Sequence, residues 1–556
     1  MKNRNNIVFL LCLFISTYAN AQISTNEKPI SFSMKLETAK KSTLGMPAIT
    51  MPSIDIEKLK GEDKENEKLN RPYRFGYTHK VNYSITDSGV WYELPNGDRL
   101  WQLSITCPNA LSVNLCYDRF WLPEGGKFFV YSADKTQCLG AYTSRNDRGC
   151  MDKPGRFATA PIKGGNIVLE YYHPNGTGPE AVISIEYIVH GYRNTDSTHE
   201  TNSSTPDCFI DINCDEGQEW QLEKNAVALV FGINTSFTGA LINTTDLSQK
   251  PYFLTARHCL TDDTTAISVP TEYFMFTWDY ERKGCGSESG TKLPCRTVGA
   301  EVVADNFHSD FALLRLLDDP AEIANYSPYY LGWDSSGNCG GAGVCIHHPL
   351  ATVKRISTTN SQQATADGKV WETTWMATQN GYGPTAKGSS GSPLINDEHK
   401  VIGQLFASYS TCAEPYNQNL FSRFDVAWTG DGSGSPYKRL DCWLDSISKG
   451  VLSLEGLLPI ATQDTISTDK SIYSNIRICS AGQLTVQGNV TLLGRGILVV
   501  EHGGTLIVDG GRLSGYDITI NPGATLRIVN DGTIEARNEF EVRIGATMEI
   551  ESGKIL

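Results

Sequence analysis

Three short segments each contain a residue type that nucleophilic catalysis requires, and they follow one another in a fixed order. The segments are TARHC (255–259), HSDFALLRL (308–316) and KGSSGSPLI (387–395). A serine hydroxyl such as that of Ser390 is a poor nucleophile unless a base takes its proton during the attack. His258 can be that base, and the carboxylate of Asp310 can fix its tautomer and stabilise its cation. The three residues together predict acyl transfer through a covalent serine intermediate.

The sequence around Ser390 also predicts a site for a developing negative charge. Residues 388–393 read GSSGSP, a run of small residues that is typical of a tight turn. Such a turn can direct the backbone amides of Gly388 and Ser390 at one point and form an oxyanion hole. A Ser/Gly loop alone is common, so the prediction depends on its combination with the histidine and aspartate segments.

With these motifs in the order His, Asp, Ser, the region 207–457 resembles the trypsin-like (chymotrypsin-fold) serine proteases of the bacterial lysyl endopeptidase group. Other segments that carry the resemblance are DCFIDINC (207–214), ALINTT (240–245), YFLTARHC (252–259), GWD (332–334), IHHP (346–349), KRIS (354–357), VIGQL (401–405) and AWTG (427–430). The resemblance implies a mostly β, two-barrel protease domain made as a secreted precursor. It assigns the catalytic triad to His258, Asp310 and Ser390, and it implies no cofactor.

The resemblance also implies a disulfide framework. It pairs Cys208 with Cys412 and Cys214 with Cys285. A third bridge of the family would join Cys259 to a position that is Phe237 in this chain. Cys259 is therefore expected to be free or to pair elsewhere, for example with Cys295.

The residue expected to set specificity departs from the family. Relatives that cleave after lysine have an aspartate nine residues before the tryptophan of the WTG segment, and that position is Asn419 here. An amide supplies no buried negative charge for a cationic side chain. We therefore expect Asn419 to contribute to substrate binding without strict lysine preference, and Glu414 is the nearest acidic alternative in the sequence.

A second departure concerns activation. In the animal digestive proteases the residue before the nucleophile is an aspartate that pairs with a newly formed N-terminal amine, whereas this chain has Ser389. A serine cannot form that ion pair, so we expect activity without a specific inserted N-terminus.

Length and charge limit the other classes of function. A chain of 556 residues is too long for a single domain, and a net charge of −14 with no basic stripe argues against a nucleic-acid partner. Residues 1–21 have a basic start, a short apolar stretch and an ANA cleavage signal, which predict a secretory signal peptide. No other apolar stretch is long enough for a membrane span. The spacing of cysteines and histidines favours no metal site.

The region before the protease-like segment divides into three parts. Residues 22–72 are predicted to be a polar linker segment. Residues 73–192 alternate apolar and polar residues around PNG and EGG turns and predict a β-sandwich-like domain, in which Cys107, Cys116, Cys138 and Cys150 could form two bridges. This domain resembles the propeptide of the same protease group; the alternative is a permanent binding domain. Residues 193–206 form a Ser/Thr/Asn-rich linker with the expected processing site.

The C-terminal region has a different pattern. Residues 458–480 are predicted to be a linker, and residues 481–556 contain short apolar runs separated by glycine. GGTLIV, GATLRI and GATMEI begin at residues 503, 523 and 545, which is a period typical of a β-solenoid. The last run ends without a polar cap, so we expect its final coil to have an exposed edge.

These observations predict a secreted serine endopeptidase that acts on protein or peptide substrates. A first alternative is a catalytically inactive protease fold used for binding or adhesion, with the repeats as its interaction surface. A second is a serine hydrolase that acts on esters. The retention of all three triad residues and of the oxyanion turn favours the endopeptidase.

Overall fold

The computed structural model describes residues 27–33, 48–68, 71–194, 208–261, 269–323 and 326–556. The predicted signal peptide and most of the predicted processing linker lie outside these ranges. Strands make up 46% of the structure and helices 11%, so the fold is mostly β, as the sequence predicts. Among the helices in the described ranges, none is both long and apolar enough to cross a membrane.

The first unit is a β-sandwich. Its segment contains β1 (Ala48–Thr50), β2 (Tyr73–Arg74), β3 (Gly76–Ser84), β4 (Val90–Glu93), β5 (Arg99–Thr106), β6 (Ser112–Trp121), β7 (Lys127–Ser132), β8 (Cys138–Tyr142), β9 (Gly155–Ala158), β10 (Ile162–Lys163), β11 (Asn166–His173) and β12 (Val182–Gly191). One sheet has the order β1-β5-β11-β7-β8 with β4 beside β5. The other has the order β10-β6-β12-β3 with β9 beside β6. Apolar side chains from both sheets fill the space between them.

The segment predicted to be a polar linker, 22–72, is structured in part. Helix α1 (Ile56–Lys68) covers most of the charged run. It is held by Asp63, which is only 3% exposed and accepts hydrogen bonds from Arg74 (2.6 Å) and from the hydroxyl of Tyr192 (2.8 Å). The sequence suggested a solvated linker because it has no broad apolar face. A buried ion pair attaches this helix instead.

Two β-barrels follow the sandwich. Their strands are β13 (Ile210–Asp211), β14 (Val227–Phe231), β15 (Thr235–Leu241), β16 (Tyr252–Ala256), β17 (Met275–Trp278), β18 (Cys295–Val298), β19 (Ala300–Asn306), β20 (Phe311–Leu316), β21 (Gly332–Asp334), β22 (Gly343–His347), β23 (Arg355–Thr359), β24 (Gln362–Ala364), β25 (Val370–Thr373), β26 (Pro393–Asn396), β27 (Lys400–Ser408), β28 (Asn419–Arg423) and β29 (Ser453–Leu454). The first barrel has the order β18-β17-β14-β15-β16-β20-β19. The second has the order β13-β23-β22-β26-β27-β28-β25-β24, and helices α2 (Phe424–Thr429) and α3 (Asp441–Leu444) follow its last long strand.

The sandwich packs tightly on the first barrel. Leu229, Phe231 and Met275 of that barrel belong to the same apolar core as the interior of the sandwich. At the edge of this contact the hydroxyl of Tyr273 donates a hydrogen bond to Glu186 at 2.6 Å. The two units therefore share one hydrophobic core.

Cysteine pairing differs between the units. The structure contains the disulfides Cys208–Cys412 and Cys214–Cys285. Cys259 is buried and forms no disulfide, and Cys295 forms none either.

The four sandwich cysteines also form no disulfide, so the expected two bridges are absent among them. Cys116 lies in β6 and Cys138 in β8, which belong to different sheets. Cys107 and Cys116 are buried in the core between the sheets, whereas Cys138 and Cys150 are exposed.

The C-terminal unit is a parallel β-solenoid. Its strands are β30 (Gly456–Ile460), β31 (Gln463–Ile466), β32 (Lys470–Ile472), β33 (Ser474–Ile478), β34 (Gln483–Val486), β35 (Asn489–Leu492), β36 (Leu498–Val500), β37 (Thr505–Asp509), β38 (Arg512–Ile520), β39 (Thr525–Val529), β40 (Gly532–Val542), β41 (Thr547–Ile550) and β42 (Gly553–Ile555). One sheet stacks five coils in the order β31-β34-β37-β39-β41. Thr505, Thr525 and Thr547 are in register, as the repeat predicts.

The predicted linker 458–480 is wrong in this structure, because it contains strands of the solenoid. β30 pairs in parallel with β33, and β31 pairs with β34. The early coils lack the Gly-Thr-Leu pattern of the later ones, so the repeat was not visible in the sequence. Their apolar residues still point inwards, and Ile476 and Ile478 are fully buried.

Candidate active site

His258 and Asp310 are brought together by neighbouring strands of the first barrel. His258 lies in the turn that follows β16, and Asp310 lies immediately before β20, which pairs with β16. Nδ1 of His258 is 2.7 Å from Oδ2 of Asp310, and the backbone amide of His258 donates to Oδ1 at 2.9 Å. The carboxylate therefore holds both the ring and the backbone of His258.

The electrostatic environment makes His258 a stronger base. Burial alone would lower its pKa, but the charge and hydrogen bond of Asp310 outweigh burial and raise the pKa well above the ordinary value of 6.5. Within the described part of the chain, Nε2 of His258 has no hydrogen-bond partner. This nitrogen remains available to a nucleophile.

Ser390 belongs to the second barrel but lies against the first. Its carbonyl oxygen accepts a hydrogen bond from the amide of Thr238 in β15 at 2.9 Å. The next residue, Gly391, has a φ of +82°, and a Cβ there would lie 2.1 Å from Oγ1 of Thr255. Because Thr255 is close to the end of the strand that leads to His258, this glycine lets the serine turn reach the histidine strand.

The turn also leaves its two candidate oxyanion amides unused. Gly388 has a φ of +92°, which favours glycine, and its carbonyl accepts a hydrogen bond from Oγ1 of Thr238 at 2.8 Å. Among the described residues, the amides of Gly388 and Ser390 donate no hydrogen bond to the protein. Both are free to stabilise an oxyanion.

Three supporting residues were not predicted from the sequence. Thr238 contacts the serine turn at two points, and Oγ1 of Thr255 donates to the carbonyl of Thr238 at 2.8 Å. Gln404 donates to the carbonyl of residue 309, next to Asp310, at 3.1 Å. Each of these three residues acts through a contact with a segment distant in sequence, and no local sequence motif predicts such a contact.

Asn419 is completely buried and fully hydrogen-bonded. Its Oδ1 accepts from the hydroxyls of three residues at 2.8–2.9 Å, namely Thr385, Ser408 and Ser410. Its Nδ2 donates to the carbonyls of Asn417 (3.1 Å) and Thr373 (3.5 Å). Carbonyls only accept, so the orientation of the amide is fixed.

Glu414 does not take the place of an acidic pocket residue. Its side chain is exposed, and its carboxylate accepts a hydrogen bond from Asn417 at 3.0 Å. In the region around Asn419, the groups that contact its side chain are uncharged.

Comparison with known proteins finds similarity to lysyl endopeptidases. Residues 202–422 match the family described as Lysyl endopeptidase, C-terminal domain. A Lysyl endopeptidase of Pseudomonas aeruginosa is 28% identical over 244 residues, which is 40% of this chain and 50% of that protein. The matched segment therefore resembles the C-terminal domain of lysyl endopeptidases. The chain spans about half the length of this relative.

Solved structures with some similarity include the thermostable serine protease AL20 from an extremophilic microorganism. The two are 14% identical, with a TM-score of 0.26, over 36% of this chain and 92% of that one. A Glu endopeptidase is 15% identical, with a TM-score of 0.25, over 36% of this chain and 85% of that one.

The raised pKa of His258 predicts the pH dependence of the protease. As the pH falls through that pKa, the imidazole is protonated and cannot take a proton from Ser390, so kcat/KM falls with its midpoint above pH 6.5. Asp310→Asn removes the group that raises the pKa, so the midpoint moves to lower pH and kcat falls about 10⁴-fold. Peptide hydrolysis measured across pH tests both; an unchanged midpoint would contradict the assignment of Asp310.

The hydrogen bonds of Asn419 predict the effect of an acidic substitution. Asn419→Asp places a carboxylate oxygen against two carbonyls, so we expect a loss of about 1–3 kcal/mol in the free energy of unfolding. A substrate lysine can neutralise this charge, so cleavage after lysine rises relative to other residues. Gln418→Glu at the exposed neighbouring position is the control for charge alone. A peptide-library profile and thermal unfolding are the measurements; strict lysine preference in the wild type would show that Asn419 does not set specificity.

Proposed function

We propose that this chain is a secreted serine endopeptidase that hydrolyses peptide bonds through Ser390, His258 and Asp310. The observation that carries the proposal is the pair formed by His258 and Asp310 at 2.7 Å, with the opposite ring nitrogen left without a partner in the described structure. The serine turn, held to β15 of the same barrel, supplies the nucleophile and two unused amides.

The geometry supports the following sequence of steps. Oγ of Ser390 attacks the substrate carbonyl while Nε2 of His258 takes its proton. The amides of Gly388 and Ser390 stabilise the oxyanion. His258 then gives the proton to the leaving amine as the C–N bond breaks, and water hydrolyses the acyl-enzyme with the same histidine as base.

The protein is made as a precursor in this proposal. Residues 1–21 direct export, residues 73–192 act as a propeptide domain, and a cut within 193–206 separates that domain from the protease domain 207–457. The disulfide Cys208–Cys412 supports this order, because it fastens the start of the protease domain to the second barrel before and after such a cut. The shared core indicates that the sandwich stays bound until it is degraded or displaced.

The proposed substrates are proteins or peptides, with a side-chain preference that is not restricted to lysine. The neutral, hydroxyl-rich surroundings of Asn419 support this expectation, because they supply no negative charge to balance an ammonium group.

A labelling experiment tests the proposed activity. The mature wild-type protein should react with a fluorophosphonate at Ser390 and should hydrolyse casein. Ser390→Ala should abolish labelling and lower turnover by several orders of magnitude, because the triad acts as a unit. Absence of both reactions in the processed wild type would favour a binding protein with an inactive protease fold, and labelling without casein hydrolysis would favour an esterase.

A further inference from the structure

A buried chain of hydrogen bonds leads from the Ser390 turn to the wall of the second barrel, and the proposed reaction does not use it. The hydroxyl of Ser389 lies 2.7 Å from Nδ1 of His347. Nε2 of the same ring lies 3.0 Å from the hydroxyl of Ser357. All three side chains are completely buried.

The partners determine the direction of each bond. The hydroxyl of Ser357 donates its hydrogen to the carbonyl of Gly383, so it must accept from Nε2–H of His347. Nδ1 is then without a hydrogen and accepts from Ser389. The hydroxyl of Ser389 in turn accepts from the amide of Ala386 at 3.2 Å. One tautomer of His347 satisfies every group.

The chain of bonds is uncharged at the pH of activity. Burial, together with the nearby charge of Arg355, lowers the pKa of His347 to about 3. The ring therefore stays neutral where His258 works as a base, and the bond directions do not change across that range.

We propose that His347 is a positioning residue that sets the oxyanion amides through Ser389, and this rests on the proposed protease activity. Ser389 lies between Gly388 and Ser390, so fixing its side chain fixes the peptide groups on either side. In the animal digestive proteases an inserted N-terminal amine fixes the aspartate that stands at this position. In this chain the neutral ring of His347, which needs no cut to be in place, fixes Ser389.

The start of the protease domain is consistent with this role. Cys208 is tied to Cys412, and its carbonyl accepts a hydrogen bond from the amide of Gly383 at 2.8 Å. This first described residue after the linker therefore contacts the outer end of the same network without entering the site.

Substitutions in the full chain, processed to the mature form and titrated for active sites, test the role of His347. His347→Leu and Ser389→Ala should each lower kcat about 10–100-fold, less than the loss of an oxyanion donor itself, with KM little changed. Because both act through one bond, the double variant should be no worse than the more impaired single variant. His348→Leu is the matched control, since His348 is equally buried but bonds to the carbonyl of Thr352. It should retain kcat.

Two outcomes would overturn the role of His347. Fully additive effects on kcat, or wild-type kcat in titrated His347→Leu, would mean that the histidine is only structural. A strict requirement for one residue at the new N-terminus would mean that an amine is inserted after all; one or two extra residues there should leave kcat unchanged. If the wild type lacks turnover, the proposed function fails instead.

A second, independent observation concerns the segment that enters the sandwich. Strand β2 adds to the edge of the first barrel, antiparallel to β15, with Tyr73 opposite Ser236 and Arg74 opposite Thr235. The amide of Phe75 donates to the carbonyl of Asn234 at 3.0 Å and continues the pairing. An exposed strand edge of the barrel is therefore occupied by the protein's own chain.

The direction of this segment leads to the catalytic residues. β15 continues from Ser236 to Thr238, which is bonded to Ser390, so an antiparallel partner runs backwards from Tyr73 towards the nucleophile. Pro72 and Arg71 line a cavity of 1010 Å³ together with His258 and Asp310. The pairing with β15 ends at Tyr73, and the amide of Arg71 donates to the carbonyl of Asn66 at 3.4 Å, so Arg71 and Pro72 reach this cavity from the last turn of α1.

We infer that residues 71–74 occupy the cleft as a substrate would and keep the precursor inactive, which again rests on the proposed activity. In this inference the bond between Arg71 and Pro72 is the one presented to Ser390, and Pro72 to Arg74 take the leaving-group side. Hydrolysis there would break the bond between the carbonyl of Arg71 and the nitrogen of Pro72, and His258 would protonate that nitrogen.

Pro72 explains why the segment can remain intact in the cleft. Its nitrogen carries a ring carbon in place of a hydrogen, and the ring fixes φ. The same ring carbon crowds the preceding residue. The nitrogen therefore cannot reorient to take the proton from His258, and the bound segment acts as an inhibitor.

Ion pairs with helix α1 also hold the segment of residues 71–74 in place. Asp63 of α1 binds Arg74 of β2 at 2.6 Å and Arg193 at 2.9 Å. Arg193 is the first residue of the predicted processing linker, so one carboxylate joins the blocking strand to the point where the chain leaves the sandwich.

Replacing the proline tests the inference directly. The full-length Pro72→Ala chain should cut itself between residues 71 and 72, detected by mass spectrometry, whereas the wild type should not. Pro72→Ala combined with Ser390→Ala should remain intact. A synthetic peptide of residues 70–75 should inhibit the mature protease competitively, and its Pro72→Ala form should be hydrolysed.

The two measurements separate this inference from the proposed function. A Pro72→Ala chain that is cut within 193–206 but stays intact at residue 71, together with a peptide that does not inhibit, would overturn the inference. If neither full-length chain cuts any bond and the mature protein hydrolyses no peptide, the proposed function is the part that fails.

Discussion

The catalytic arrangement depends on one contact, the attachment of the Ser390 turn to strand β15 of the first barrel. Ser390 and His258 come from different barrels, so neither barrel alone can bring them together. Two features hold the barrels together here. The amide of Thr238 donates to the carbonyl of Ser390, and Gly391 lets the two chains approach closely. A side chain at position 391 would collide with Thr255, so the approach of the two barrels needs glycine at this position.

Strand β15 also explains why the sandwich belongs to the same functional unit. Its residues from Thr235 to Thr238 pair first with the incoming segment of the sandwich and then with the serine turn. A chain that pairs with this edge of β15 in the antiparallel sense is directed towards the turn that holds Ser390. Strand addition of this kind gives main-chain hydrogen bonds without side-chain selection, which suits both a substrate and an internal inhibitor.

The sequence predicts those site residues whose side-chain type is itself required by the proposed chemistry. The triad of His258, Asp310 and Ser390 is predicted because acyl transfer needs these groups, and the structure brings His258 and Asp310 within hydrogen-bond distance. The two cysteine pairs expected from the resemblance are present as disulfides. The supports of the site could not be recognised. Thr238, Gln404 and His347 act through contacts between distant segments, and their residue types are common in any β protein.

Errors in the fold have a similar physical origin. Helix α1 has the charged sequence typical of a solvated segment. The pairing of Asp63 with Arg74, Tyr192 and Arg193 attaches it to the sandwich. The first solenoid coils keep the inward apolar positions but not the glycine pattern, so composition suggested a linker. In the sandwich, cysteine number suggested bridges, although two of the four thiols are buried in the core and two are exposed.

Ser389 is held by uncharged hydrogen-bond partners, whereas the aspartate at this position in digestive proteases is held by an ion pair. A buried amine–carboxylate pair must overcome the desolvation of two charges, and it exists only after a cut creates the amine. A chain of hydroxyls and a neutral imidazole needs no cut, because every donor and acceptor is already present in the precursor. If the chain is processed as proposed, the turn is therefore already formed before the cut. In the proposed precursor, latency would then come from exclusion of substrate, and residues 71 and 72, which line the cavity beside His258, are the segment inferred to provide it.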